Sequence, residues 1–100
     1  MAQNEIITAY LLDDACLSLE ELCAVCAVDR VWVVRHVEEG LLAPLSGPAS
    51  NWRFTSASLT RTRRIHALER DFDAVPELAA LMADLLEEVD ALRARVSPQH

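Results

Sequence analysis

Residues 17–44 carry the pattern that most restricts the possible folds, because two short amphipathic segments follow each other with almost no linker. Ser18 and Glu21 stand three residues apart, which is the spacing of a capping box at the start of an α-helix. Apolar side chains then recur at intervals of three and four residues, at Leu19, Leu22, Cys23 and Cys26. This periodicity predicts a short helix with one apolar face.

A second helix is predicted directly after the first. Ala27 and Val28 interrupt the first helical pattern, and Asp29 can cap the next helix. The buried stripe expected for this second helix consists of Val33, Val34, Val37 and Leu41. Gly40 is expected to end it, because glycine adopts the left-handed conformation without steric cost. Two short helices joined in this way indicate a helix-turn-helix.

A small β wing is expected after the helix-turn-helix. Residues 41–43 form the first predicted strand, which Pro44 stops, and residues 51–54 (NWRF) form the second. The proline- and glycine-containing residues 45–50 form the connecting loop. The apolar run at residues 6–12 predicts an N-terminal strand that adds to this hairpin, although so short a run does not by itself distinguish a strand from a helix.

Two longer helices are predicted in the second half of the chain. Thr55 or Ser56 can cap a third helix that runs to about Asp71. Its apolar side chains available to the core are Ala57, Leu59, Ile65, Leu68 and Phe72. Pro76 stands where a proline in the first turn is tolerated, so a fourth helix is expected to begin there.

The fourth helix has the most regular periodicity in the chain. Its apolar positions alternate steps of three and four residues, at Val75, Leu78, Met82, Leu85, Val89, Leu92 and Val96. Such a seam is typical of a coiled coil, and a chain of 100 residues offers no other long helix to pair with it, so we predict an antiparallel homodimer. The alternative is a monomer in which the seam folds back on the third helix.

These patterns predict a mainly α-helical protein with a winged helix-turn-helix, a small β wing and a long C-terminal dimerisation helix. We expect the winged helix-turn-helix with its N-terminal strand at residues 1–74. The coiled-coil helix and its tail are expected at residues 75–100, within one structural domain overall.

The charge balance opposes nucleic-acid binding. The chain has 16 acidic and 9 basic residues and a formal charge of −7, whereas proteins that neutralise phosphates usually present a basic field. Four arginines are nevertheless concentrated in the third helix, at Arg61, Arg63, Arg64 and Arg70. They either track a nucleic-acid backbone or, as we expect, pair with acidic side chains within the dimer, at Glu69, Asp71, Asp84, Glu87 and Glu88.

Localisation and cofactor use are also constrained. No segment approaches the roughly 18 consecutive apolar residues of a membrane span, and Glu5 lies where a signal peptide carries positive charge. Three cysteines without a secretion signal argue against a disulfide framework, so we expect a cytoplasmic protein with reduced thiols and no membrane contact.

Cys23 and Cys26 form a CxxC pair, but a zinc site needs about four ligands and no second pair is present. We therefore expect no metal and no cofactor.

The chain resembles the MerR-like winged-helix group and, within it, the chaperone modulator CbpM family. The resemblance lies in the order of elements and in three segments, LSLEELCAVC, HVEEGLLAP and NWRF. The resemblance covers residues 17 to about 96. It implies an acidic winged-helix homodimer, not an enzyme, that binds the J-domain of a CbpA- or DnaJ-like co-chaperone. It further implies that this binding inhibits stimulation of an Hsp70-type chaperone, since J-domains in general carry a basic helix that an acidic surface would cover.

Departures from the DNA-binding members of this group favour a protein partner. The helix that typically reads T-I-R-Y-Y-E there reads WVVRHV here, so Val34 stands at the arginine position. On the wing, only Arg53 remains to meet a phosphate. Phosphate contacts set the affinity for DNA, and base-edge contacts set its sequence specificity. This surface has fewer side chains for either kind of contact than the DNA-binding members have. A MerR-like transcriptional regulator that reads DNA as a dimer is the alternative function.

The predicted partner-binding surface is the helix-turn-helix. Its expected members are Glu20, Glu21, Trp32, Arg35, His36, Glu38 and Glu39. Acidic side chains repel phosphate and attract a basic protein surface, although such residues also commonly form no more than a solvated surface. Trp32 is the expected aromatic anchor of the interface, whereas Trp52 is expected to lie partly in the core.

Overall fold

The computed structural model describes residues 16–45, 48 and 51–96, and its described part is mainly helical. Its elements are, in chain order, β1 (Leu17–Ser18), α1 (Leu19–Cys26), α2 (Arg30–Glu38), β2 (Arg53–Phe54), α3 (Ser56–Phe72) and α4 (Pro76–Val96). The chain divides into two compact units, Met1–Arg63 and Arg64–His100. This division falls within α3. The predicted N-terminal strand at residues 6–12 lies outside the described residues.

Helix α1 begins where the capping box predicted it. The Ser18 hydroxyl accepts a hydrogen bond from the Glu21 backbone N–H at 3.1 Å, and the Glu21 carboxylate accepts one from the Ser18 N–H at 2.9 Å. The helix ends at Ala27, whose left-handed φ of 57° lets its N–H donate to the Cys23 carbonyl. The buried residues of α1 are Leu19, Leu22 and Val25. Cys23 and Cys26, expected on this buried face, are only half-buried.

Helix α2 contacts α1 and completes the helix-turn-helix. Asp29 is its N-cap residue, as predicted, but the Asp29 side chain makes no capping hydrogen bond. The buried residues of α2 are Val33 and His36, whereas Val34, Val37 and Leu41 of the predicted stripe are half-buried. The buried face is therefore rotated from the predicted stripe towards His36.

Residues 41–43 do not form the predicted strand. Gly40 has a φ of 79°, as expected for the end of the helix, and the N–H groups of Leu41 and Leu42 both donate to the His36 carbonyl, at 2.8 and 3.3 Å. This turn uses the N–H groups that a strand would need for pairing. Strand β2 pairs instead with β1 in antiparallel register, with Leu17 opposite Phe54 and Ser18 opposite Arg53.

The core of the first unit forms around this two-stranded sheet. Its largest buried side chains include Leu17, Leu22, Val33, Leu42, Trp52, Phe54 and Leu59. The rings of Trp52 and Phe54 meet edge to face, with their centroids 6.1 Å apart. The backbone N–H of Leu45 donates to the Arg53 carbonyl at 2.9 Å, so the chain after Pro44 returns to β2.

Helix α3 begins after Thr55, whose hydroxyl accepts a hydrogen bond from the Ser58 N–H at 3.2 Å. It runs to Phe72, close to the predicted end. Leu59 and Ile65 are buried as expected. Phe72 is 72% exposed, contrary to expectation, because it is the last residue of the helix and its side chain lies outside the packed face.

Helix α4 begins at Pro76, as the first-turn proline predicted. The residues that it buries are Ala79, Ala80 and Ala83. The predicted seam lies on other positions: Met82 is half-buried, and the remaining seam residues are exposed. Within the described residues, most of the seam is therefore exposed. Among the described residues, no helix is long and apolar enough to cross a membrane.

Candidate protein-binding surface

Four acidic side chains of the helix-turn-helix belong to the predicted binding surface, two in the first turn of α1 and two at the end of α2. Glu20 forms an exposed ion pair with Arg30, with 3.6 Å between Oε2 and Nε. Glu21 completes the capping box of α1. Both of these acids therefore have a structural role within the first unit. Glu38 and Glu39 are exposed at the C-terminal end of α2.

Glu38 and Glu39 occupy positions that disfavour acidic side chains. The backbone carbonyl groups at a helix C-terminus carry partial negative charge, which destabilises a nearby carboxylate by about 0.3–1 kcal/mol. Arg35, in the same last turn, offsets part of this repulsion. Glu20 and Glu21, by contrast, lie at the favourable N-terminal end of α1. The acids of α2 therefore do not stabilise the helix that carries them.

His36 is a core residue and not the surface contact that the sequence predicted. Its side chain is only 2% exposed, and its ring stacks on Trp32 with centroids 3.7 Å apart. Its Nδ1 lies 2.7 Å from the Trp32 carbonyl oxygen. Since a carbonyl only accepts hydrogen bonds, Nδ1 carries the proton and donates it. His36 therefore supports the half-buried Trp32 from within the fold.

The exposed face of α2 contains a shallow groove of about 310 Å³. It is lined by Arg30, Val31, Val34, Arg35 and Glu38, and we call it the α2 groove. Sequence analysis assigned Arg35 and Glu38 to the binding surface but missed Val31, which is 67% exposed. The available signal was its position two residues before the buried Val33, which places it on the opposite side of the helix.

The three cysteines of the first unit are free and half-buried. Burial raises the pKa of the Cys26 thiol to about 11, while the nearby Arg63 guanidinium acts in the opposite direction. Burial, followed by the carboxylate of Glu20, also raises the pKa of the Cys23 thiol. Both thiols are therefore protonated at neutral pH, which disfavours metal binding and nucleophilic attack. Within the part of the chain that the structure describes, no group of His, Cys, Asp and Glu residues is arranged to hold a metal ion.

Three of the four α3 arginines bind groups of the same chain. The Arg64 and Asp90 side chains are 2.7 Å apart, and Arg70 Nε lies 2.9 Å from Asp71 Oδ1. Arg61 Nε donates to the Leu41 carbonyl at 2.8 Å, which fixes the turn after α2. Pairing with acidic side chains was the expected role for these arginines. Asp71 is one of the expected partners, whereas Asp90 and the Leu41 carbonyl are not.

Sequence comparison defines the class to which this helix-turn-helix fold belongs. A family model described as "MerR HTH family regulatory protein" matches residues 17–98, which is most of the chain. The match begins at β1 and extends past the end of α4. The class is therefore a MerR-type helix-turn-helix protein.

Curated relatives narrow this class further. The chain is 31% identical over 81 residues to "Chaperone modulatory protein CbpM" of Pseudomonas entomophila strain L48, with 81% of this chain and 80% of the relative covered. Proteins with the same name from Pseudomonas putida strains GB-1 and W619 are 31% and 30% identical over the same shares of both chains. The chain belongs to the CbpM family of chaperone modulatory proteins. No solved structure matches it significantly.

Proposed function

We propose that this protein binds the J-domain of a CbpA- or DnaJ-like co-chaperone and inhibits its stimulation of an Hsp70-type chaperone, in the cytoplasm. Membership of a family whose relatives are named chaperone modulatory proteins supports this function. The formal charge of −7 supports a basic partner. The single observation that carries the choice of surface is the position of Glu38 and Glu39, exposed at the disfavoured end of α2 beside the α2 groove.

The test is a calorimetric titration of this protein with a full-length CbpA-like co-chaperone from the same genome. We expect saturable binding that weakens as salt rises, because exposed charge pairs are screened over about 10 Å at 0.1 M salt. In a second assay, ATP hydrolysis by the Hsp70-type chaperone, stimulated by the co-chaperone, should fall as this protein is added. Absence of binding at low salt between two folded proteins would refute the proposal.

A homodimer through α4 is part of this proposal. The seam (Val75, Leu78, Met82, Leu85, Val89, Leu92 and Val96) contains large apolar side chains, most of which are exposed in the single chain. A helix of 21 residues is about 30 Å long, enough for several layers of coiled-coil contacts. The first turn carries Glu77 and the last turn carries Arg93 and Arg95. An antiparallel pair brings these opposite charges together, whereas a parallel pair aligns like charges.

Analytical ultracentrifugation of the Leu85→Asp variant tests the dimer. Leu85 is exposed, so the substitution leaves the packing of the single chain intact, but a dimer would have to bury two carboxylates near the middle of its seam. We expect the wild-type protein to sediment as a dimer and the variant as a monomer. The matched control is Asp84→Asn, next to the seam residue but outside the seam. A monomeric wild-type protein would refute the proposed dimer.

DNA binding is the second candidate function, and one observation favours it. Arg30 and Arg35 lie on the exposed face of α2, where a MerR-type protein could meet a phosphate backbone. This candidate predicts that Arg35→Ala and Arg53→Ala weaken DNA binding and that affinity falls steeply with salt. Mobility-shift assays with genomic fragments around the gene test it, and unretarded fragments at low salt would exclude it.

A further inference from the structure

We propose that the α2 groove binds one amphipathic helix of the co-chaperone through an apolar contact at Val31 and Val34. A carboxylate of that helix would meet Arg35, beside the existing Glu20–Arg30 ion pair, and a lysine or arginine would meet Glu38. The inference rests on the proposed function and deepens it, because it assigns the contact to particular residues. Part of the affinity would then come from apolar burial and would be insensitive to salt.

Helix geometry arranges the groove as an apolar centre with a charged rim. At about 100° per residue, Val31, Val34 and Glu38 lie within one sector of α2, with Arg30 on one side and Arg35 on the other. The buried Val33 and His36 point the opposite way. An apolar centre surrounded by charged side chains is the usual composition of a protein–protein interface.

Packing among the described residues does not explain the apolar centre. Val31 remains 67% exposed and Val34 is half-buried, so neither side chain contributes its full area to the core. The first unit already has a large buried cluster at Leu22, Val33 and Phe54. The exposed part of Val31 is thus available to a partner without any change in the fold.

The charges of the groove select the chemistry of the occupant. A nucleic acid would satisfy the two arginines, but it has no cation for Glu38, and its phosphates would be repelled by Glu38 and Glu39. A helix carries aliphatic, acidic and basic side chains at fixed spacings, so it can meet the valines and both signs of charge together. Helix α2 has nine residues and is about 13 Å long, which matches two to three turns of a partner helix.

The experiment measures co-chaperone affinity of Val31→Ser against salt concentration, using the full-length co-chaperone named above. Leu45→Ser is the matched control, because Leu45 is a similarly exposed aliphatic residue (59%) of the first unit outside the groove. Losing the burial of the exposed part of one valine should weaken binding about fivefold. This factor should be the same at every salt concentration, whereas Glu38→Gln should reduce the salt dependence itself.

The outcomes separate this inference from the proposed function. If the wild-type protein does not bind the co-chaperone, the proposed function fails, and the inference fails with it. If the wild type binds and Val31→Ser binds equally well, or Leu45→Ser weakens binding as much, only the inference is overturned. A Val31→Ser variant whose dimerisation constant changes while its co-chaperone affinity does not would assign the groove to a second copy of this chain and would also overturn it.

Discussion

Replacing Glu38 and Glu39 by glutamine should weaken co-chaperone binding and stabilise the fold at the same time. Both side chains are exposed at the C-terminal end of α2, where they face the negative end of the helix dipole. Removing each charge should relieve about 0.3–1 kcal/mol of repulsion, so the double variant should gain about 1 kcal/mol in the free energy of unfolding. For a domain of this size, that gain raises the Tm by about 4–8 °C.

The same variant should lose affinity. Exposed charge pairs contribute about 0.2–1 kcal/mol each, so two lost pairs weaken binding about fivefold at low salt. Screening removes most of this difference at about 1 M salt, where the Debye length is about 3 Å. Urea denaturation measures the first effect, and calorimetric titration across a range of salt concentrations measures the second.

The control for this double variant is Asp84→Asn combined with Glu87→Gln. It removes the same two charges from exposed positions of α4 outside the seam, so it separates a local effect from an effect of net charge. We expect its affinity to be nearly that of the wild type. Equal loss of affinity in both double variants would show that net charge alone attracts the partner. A double variant at Glu38 and Glu39 that is less stable than the wild type would refute the dipole argument.

Three further predictions concern the scaffold of the surface. His36→Ala should lower the free energy of unfolding by about 2–4 kcal/mol in urea denaturation, because it removes a buried ring and its hydrogen bond to the Trp32 carbonyl. Ser18→Ala should cost about 1 kcal/mol, since the capping box of α1 is lost. Because the pKa of Cys26 is raised from 9.0 to about 11, the unfolded thiol loses its proton first, so stability should fall as pH rises from about 9 towards 11. Urea denaturation at several pH values should show this fall, and Cys26→Ala should reduce it.

The parts of the fold that local chemistry decides were predictable from the sequence. Ser18 with Glu21, Gly40 and Pro76 each mark a helix boundary through a hydrogen bond or a backbone angle that a few neighbouring residues determine. The structure confirms all three boundaries. The periodicity of α4 likewise predicted a long helix, because a 3.6-residue repeat is a property of the segment alone.

The parts that depend on distant packing were not predictable. Residues 41–43 have the composition of a strand, but the His36 carbonyl accepts hydrogen bonds from the N–H groups of Leu41 and Leu42, and β2 pairs with β1. The sequence predicts His36 to be a polar surface residue. Its burial depends on Trp32, which provides both a stacking partner and a hydrogen-bond acceptor. Val31 was missed for the converse reason: the predicted buried stripe included Val34, which lies on the same side of α2 as Val31, so the exposure of that side was not expected.

The two ends of α2 carry opposite charges, so the surface of this acidic chain is not uniformly negative. Its first residue, Arg30, lies at the positive end of the helix dipole, and Glu38 lies at the negative end, so both charges oppose the stability of the helix that carries them. The ion pair with Glu20 relieves the repulsion at Arg30. Net charge draws a basic partner from a distance, but it cannot orient that partner. In the proposed complex, Arg30 at one end of the groove and the carboxylates at the other would favour one direction of the bound helix, because the reverse direction would place like charges together.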